Sequence, residues 1–413
     1  MEDKVKKPLL NIEPWKRTLL ILFFVQLFTA VGFSIIFPFL PLFVEDLGSF
    51  YDLDIELLAG LVFSGQAFSM MIAAPIWGNL ADRFGRKIMV QRAQFGGAIL
   101  LTSMAFVQNA EQLVILRTIQ GLITGTVSAN NALIASVTPR KHAGYAMGML
   151  QVGLGSGLAF GPMIGGFLAD NFGYSSAFYV TGVLLLISGF MVTFWIHEEP
   201  KDRLKIEQVK VKLLTEIKSV FKQVGVSSTL LLRFLSQLGR MLIIPFLPIF
   251  ISGIITDTSN ENSFIGLVIG ISSGATTLSA IYLGKLGDRI GHRKILFVSL
   301  LVAGLLYFPQ SFVTEGWQIL VLQALIGVAM GGILPMISAL LARYSDPGAE
   351  GFVYGIDTSI NSAGRAIAPL IGGLIISISN INWIFTVIGI LLLFSAVLSK
   401  TILPDMKPEK QII

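Results

Sequence analysis

Five ionisable residues lie inside otherwise apolar stretches of this sequence: Arg117, Arg233, Arg240, Asp357 and Arg365. A charge placed in hydrocarbon costs about 3 kcal/mol or more, so each is a candidate for carrying protons or holding a ligand. Their spacing is ordered. Arg233, Gln237 and Arg240 fall at i, i+4 and i+7, and Asp357, Asn361 and Arg365 fall at i, i+4 and i+8, so each trio occupies one face of a helix. Asp357 is the one carboxylate among the five. Hydrocarbon favours the neutral form of a carboxyl group and a neighbouring guanidinium favours the ionised form, the balance a proton carrier needs. The competing reading is a structural ion pair between Asp357 and Arg233 or Arg365. Gln26, Asn130, Asn131 and Gln151 add amides as further cavity candidates. Such amides either face a ligand or bridge helices, a use typically giving about 0.6 kcal/mol.

The elements that must position these residues follow from composition. Of 413 residues, 54% are apolar and only 13% charged, against roughly a quarter charged in soluble domains. A bilayer crossing needs about 20 mostly apolar residues. Apolar runs bounded by charge or turn residues give twelve helical spans, near 18–44, 57–81, 88–108, 111–136, 143–169, 174–196, 226–253, 263–285, 294–313, 316–342, 350–377 and 381–402. The first is too long for the apolar region of a signal peptide and is kept as structure. The fold class is therefore an all-α integral membrane protein. No cysteine is present, which excludes disulfides and thiolate metal sites.

Alternate connections differ in charge. One set holds Glu45, Asp46, Asp52, Asp54, Glu56 and Asp257 and no Lys or Arg. The other holds Arg83, Arg86, Lys87, Arg140, Lys141, Arg289, Arg293, Lys294 and both basic termini. The positive-inside rule puts the termini in the cytoplasm of a cell-membrane protein and accounts for the pI near 9.3. Spread over six loops, these charges do not suit nucleic acid.

The halves repeat at an offset of 206–207 residues. Pro38-Phe39-Leu40-Pro41 recurs as Pro245-Phe246-Leu247-Pro248, and Gly78-Asn79-Leu80-Ala81-Asp82-Arg83-Phe84-Gly85 as Gly284-Lys285-Leu286-Gly287-Asp288-Arg289-Ile290-Gly291. Gly121 and Gly125 match Gly327 and Gly331, and Gly157, Pro162, Gly165 and Gly166 match Gly364, Pro369, Gly372 and Gly373. Six spans per repeat means that both halves insert the same way up, with a ligand site expected between them near mid-membrane. The expected organisation is a six-helix bundle over 1–196, a cytoplasmic linker over 197–224 and a second bundle over 225–413. Val209, Leu213, Ile217 and Val220 recur at helical spacing within the linker, as in a surface amphipathic helix.

Between spans two and three, Gly78-Asn79-Leu80-Ala81-Asp82-Arg83-Phe84-Gly85-Arg86-Lys87 resembles the signature loop of the major facilitator superfamily. Leu113 through Gly121, containing Arg117, resembles the family's fourth-helix motif. Gly153 through Gly166, closing on Gly161-Pro162-Met163-Ile164-Gly165-Gly166, resembles the fifth-helix motif of its drug:proton antiporters. Phe37–Gly48 and Asn130–Ala135 are similar to a bacterial multidrug-resistance group of that family. The resemblance spans essentially the whole chain and implies two pseudo-symmetric bundles. It also implies a brace from Asp82 to the start of span eleven, and a part for Arg117 in proton coupling. In one respect the chain departs from the pattern. Many such antiporters carry an acid in the first helix, whereas between Arg17 and Glu45 this sequence has none, and Gln26 is the most polar large side chain there.

An enzyme is disfavoured: His142, His197 and His292 are far apart without an HExxH pair, and no GxxxxGK[ST] loop is present. The expected activity is secondary active transport, with proton-coupled efflux of amphipathic drugs as the leading form. A symporter, uniporter or flippase for an anionic or amphipathic compound is the alternative. The expected coupling ion is a proton, with no cofactor or metal, and the expected state is a monomer in lipid. Proton coupling falls to Asp357, Arg117 and Arg365. The cavity falls to Gln26, Asn130, Asn131, Gln151, Arg233, Gln237, Arg240 and Asn361. Repeat-related positions in the amino half are Gln26, Ala30 and Phe33, and Leu150, Leu154 and Leu158. That half is therefore expected to supply an apolar wall opposite a charged one. Three arginines against one carboxylate favour neutral, zwitterionic or anionic substrates.

Overall fold

The computed structural model describes residues 13–139, 142–196, 223–255, 258–345 and 350–404. Among these every regular element is helical. The amino half contains α1 (Pro14–Ile35), α2 (Leu40–Leu47), α3 (Ile55–Phe84), α4 (Arg86–Met104), α5 (Ala110–Ile123), α6 (Thr126–Val137), α7 (Ala143–Phe172) and α8 (Tyr174–Trp195). The carboxyl half contains α9 (Val224–Leu242), α10 (Leu247–Ile254), α11 (Glu261–Ile290), α12 (His292–Gln310), α13 (Gly316–Met330), α14 (Ile333–Tyr344), α15 (Glu350–Ile378) and α16 (Asn382–Thr401). All twelve expected spans are present, and most of the expected linker, 197–222, lies outside the described residues.

Four spans are broken, which the sequence reading did not anticipate. Spans one and seven break at the repeated proline motif: Pro41 and Pro248 restart α2 and α10 in the first turn, where a missing N–H costs nothing. Span four breaks at Gly125, whose φ of 127° few other residues adopt, and span ten breaks at Gly331-Gly332. The broken spans are thus repeat-related, one and four with seven and ten. Among the described residues ten stretches are long and apolar enough to cross a membrane. Spans three and four fall short because α4 opens with Arg86, Lys87 and Arg92, and because α5 and α6 have only 14 and 12 residues.

The carboxyl half holds one continuous apolar core, including Leu300, Phe246, Phe250, Ile326 and Phe385. The amino half holds two. One gathers Ile35, Phe39, Phe43, Leu101 and Phe178, and the other Trp15, Leu22, Val90, Leu133 and Leu150. The layer separating them is polar and glycine-rich: Gln26 and Thr29 of α1, Gln94 of α4, Arg117 of α5, Asn130 of α6, Ser188 of α8 and the α7 glycines lie between the two cores.

Glycines set how the halves meet. One α7 stripe, Gly153, Gly157, Gly161 and Gly165, packs on Phe23, Ala30, Ser34 and Ile35 of α1. A second stripe faces α11, where Gly166 meets the Asn262 backbone and Gly266 meets the carbonyl of Pro162. The other seam repeats the contact at the same offset: a Cβ built on Gly60 of α3 would stand 3.0 Å from the Pro369 carbonyl of α15. Within the halves, Gly121 abuts Gln66 and Gly327 abuts Ser272, again one contact in two copies.

The faces of the molecule differ. On the face carrying the acidic loops the halves are closed on each other. There the Asp170 carboxylate at the end of α7 accepts bonds from Asn262 N (3.1 Å), Ser263 N (2.7 Å) and Asn262 Nδ2 (2.9 Å) at the start of α11. It thereby caps across the seam a helix end that needs acceptors. Midway, Gly155 still touches Thr277. Two turns nearer the basic face, on the same stripes, no described atom lies within 4 Å of a Cβ built on Gly148 or Gly284. The halves part there.

Candidate functional site

The charged faces of spans seven and eleven meet. A Cβ built on Gly364 would stand 3.1 Å from Gln237 Cγ, which brings α15 against α9 and sets Asp357 opposite Arg233. Arg233 Nε lies 3.1 Å from Asp357 Oδ1, with side-chain exposures of 12% and 9%. The N–H is not aimed at that oxygen, so charge rather than a well-aligned hydrogen bond holds the pair. One aligned bond fewer leaves the carboxylate easier to release.

Arg233 also lines a small, partly open pocket with Ser236, Gln237 and Arg240 of α9 and Met330, Ile333, Leu334 and Ile337 of the broken tenth span. One wall is cationic and the other aliphatic, the lining that orients an amphipathic ligand. Arg240 stands within electrostatic reach of Arg233, of Tyr307 on α12 and of Arg365 on α15. Asn361 is partly buried on α15, one turn from both Asp357 and Arg365. Ser236 and Tyr307 are absent from the sequence reading. A serine i+3 from Arg233 was a readable signal, whereas Tyr307 is brought in only by the packing of span nine.

The amino-half candidates take other positions. Gln26 and Asn130 are fully buried and bonded to each other, Asn130 Nδ2 to Gln26 Oε1 at 2.7 Å, so they bridge α1 and α6. Asn131 is partly buried, and its Oδ1 is without a hydrogen-bond partner among the described residues. Gln151 is exposed, one turn to the basic side of the Gly155–Thr277 contact, where α7 and α11 begin to part. The expected apolar wall is smaller than the repeat suggested. Ala30 is consumed in packing on Gly157, and Leu150 is fully buried in one of the two cores.

Arg117 is 2% exposed within the amino half. Its Nη1 donates to Gln120 Oε1 at 3.0 Å, while Nε and Nη2 are without partners among the described residues. A second amino-half arginine is absent from the sequence reading. Arg92 sits 3.5 Å over the ring of Trp77 and donates to the Thr124 carbonyl at 3.4 Å. Trp77 Nε1 donates to the Leu122 carbonyl at 2.6 Å. These two side chains satisfy carbonyls freed where α5 ends, so the break in span four is held by spans two and three.

Gly78 and the side chains of Asp82 and Arg83 lie outside the description, and with them the expected Asp82 brace. The rest of the loop is informative. Gly85 and its repeat partner Gly291 have φ of 100° and 104° and start α4 and α12. Lys87 Nζ donates to the Thr193 carbonyl at 3.0 Å at the end of α8, and Arg293 Nε to the Ser399 carbonyl at 3.1 Å at the end of α16. One cation per repeat thus caps the negative end of the sixth helix in its own half. Arg86 corresponds to His292, whose Nε2 lies 3.0 Å from Asp288. Among the described residues no cluster of His, Asp and Glu has the makings of a metal site.

A sequence model described as "Major Facilitator Superfamily" matches residues 22–232 and again 229–412, once per repeat. The chain belongs to the major facilitator superfamily. Its members are transporters rather than enzymes, and this chain is a multi-pass membrane transporter. It is 37% identical over 385 residues to the multidrug resistance protein MdtG of Salmonella dublin, covering 93% of this chain and 95% of the relative. The MdtG of Salmonella typhimurium (strain LT2) matches at the same identity and coverage. Among solved structures, a D-xylose-proton symporter superimposes with a TM-score of 0.79 at 15% identity, covering 95% of this chain and 99% of the other. The human organic anion transporter MFSD10 superimposes with a TM-score of 0.68 at 18% identity, covering 94% and 100%. Such low identities show the shared superfamily fold alone.

Proposed function

We propose that this superfamily member is a proton-coupled exporter of amphipathic small molecules that works by alternating access, with Asp357 as the proton carrier. The observation that carries the reading is that Arg233, which lines the mixed cationic and aliphatic pocket, lies 3.1 Å from Asp357. A substrate that draws on Arg233 or fills the pocket changes the surroundings of the carboxylate, which is how two binding events become linked. The multidrug resistance relatives support export of drug-like compounds.

In this reading the bundles 1–196 and 225–413, joined through 197–224, rock about the pocket. Both termini face the cytoplasm of the cell membrane, and a single chain suffices. The closed acidic face then looks outward and the parted basic face inward. The gradient is adequate: a proton entering gains about 1.36 kcal/mol per pH unit and about 2.3 kcal/mol per 100 mV.

A second reading, co-transport or uniport of an anion or flipping of an anionic amphiphile, is favoured by the excess of arginine. An anion beside Arg240 and a proton on Asp357 assist each other, because the anion disfavours a neighbouring ionised carboxylate. For a neutral substrate that competes with the proton the sign is opposite. Purified protein in weakly buffered detergent, given a chemically varied panel while pH is recorded, separates the cases. Release of protons on substrate addition is the expected result for export by exchange, and uptake supports the second reading. Absence of proton movement with a compound shown to be transported contradicts coupling altogether.

A further inference from the structure

Taking the pocket as a substrate chamber, we infer that Arg240 and Arg365 form a seat for the anionic headgroup of an amphiphile, assisted by the Tyr307 hydroxyl. The aliphatic α13–α14 surface receives the tail.

The argument begins with what each arginine already holds. Arg233 is engaged by Asp357. Among the described residues Arg240 and Arg365 have neither a carboxylate within 4.0 Å nor a hydrogen-bond acceptor, yet each lies within electrostatic reach of the other. Two neighbouring guanidinium groups offer ten N–H donors between them and repel each other. One anion relieves both the repulsion and the unmet donors, and a phosphate or carboxylate matches the guanidinium fork. Tyr307 is 3% exposed and within reach of Arg240, and its hydroxyl adds a neutral donor.

Arg240 by itself has a plainer explanation. It occupies the last turn of α9, whose carbonyl end attracts a cation. That account does not extend to Arg365, which is in the middle of α15 and far from either end. The pocket supplies the second half of the recognition. Met330, Ile333, Leu334 and Ile337 face the cationic wall across the pocket, an aliphatic surface for an alkyl chain to lie against. The seat also lies between the two broken spans of the carboxyl half, where half-helix ends and irregular backbone meet the cavity.

The test is equilibrium binding of octyl phosphate in phosphatidylcholine nanodiscs, with octanol as the uncharged control. No gradient is applied, so a failure of proton coupling leaves the test intact. Arg240→Gln and Arg365→Gln are each expected to weaken octyl phosphate binding by about tenfold and together by about a hundredfold, with octanol unaffected. Arg240→Lys, which keeps the charge but not the fork, gives an intermediate loss and guards against variants that fail to fold. Repeating the wild-type measurement with phosphatidylglycerol in the disc identifies the source of the anion. Weakened binding marks a lipid headgroup as a competitor, and unchanged binding marks a soluble amphiphile; either outcome retains the seat. Folded Gln variants that bind octyl phosphate as wild type does, or that lose octanol equally, overturn it.

Discussion

Reconstituted Asp357→Asn protein is expected to lose the ability to build a substrate gradient from a proton gradient while still exchanging substrate across the membrane. With two pH units imposed, a one-proton carrier sustains about a hundredfold substrate gradient, since each unit is worth about 1.36 kcal/mol. The variant is expected to sustain none, so the difference read in proteoliposomes is about two orders of magnitude. One complication is that Asn leaves the Arg233 guanidinium unpaired, and breaking a buried pair from one side costs about 3–5 kcal/mol. The double variant Arg233→Gln/Asp357→Asn removes both charges and so separates stability from coupling. A double variant that is well folded and exchanges substrate but ignores the proton gradient supports the carrier role. One that again concentrates substrate against the gradient shows that Asp357 is only half of a structural pair.

The second large effect is steric and lies at the seam. Gly266→Leu is expected to lower transport more than tenfold and to open the acidic face. Its Cβ would collide with the Pro162 carbonyl, and Met163 Cα lies 3.3 Å away, so the obstacle is backbone that cannot rotate aside. Overpacking of this kind costs about 1–3 kcal/mol. In a protein that must visit two states, that cost falls on the state in which α7 and α11 touch, moving the equilibrium by about 5–150-fold. Spin labels on Phe172→Cys and Asn260→Cys report it in a chain with no native cysteine. The expected readout is a longer distance across the acidic face than in the unsubstituted protein. An unchanged distance with full transport would show that the seam does not need to close. Gly266→Ala, a smaller intrusion, is expected to give a smaller shift in the same direction.

Much of the architecture was legible because hydrocarbon leaves the chain few choices. Twelve apolar runs, alternating loop charge and a repeat at 206–207 residues were readable as letters, and the helices fall within a few residues of the expected bounds. The breaks were less visible. Pro41 and Pro248 were noticed as repeats but not as restarts, because a proline in the first turn of a helix and one inside a span look alike in sequence. The two faces that carry charge were readable from spacing alone, and Arg233 does stand against Asp357. The fate of Gln26 was not. Whether an amide faces a cavity or a neighbouring helix depends on how closely two backbones approach, and here the glycines of α7 bring α1 in so tightly that Ala30 becomes packing. Arg92 was missed for a related reason. Its role depends on where span four breaks, and Gly125 acquires that meaning only once its φ is known.

Everything proposed for this transporter depends on the charged faces of α9 and α15 bordering a space that water and substrate enter, rather than lipid. Single cysteines at Gln237 and Asn361, each in the cysteine-free chain, test this in inside-out and right-side-out vesicles. The account predicts that both react with a membrane-impermeant, positively charged thiol reagent from the basic face and that bound substrate slows the reaction. Labelling by lipid-soluble maleimides alone, from either face and indifferent to substrate, would contradict it.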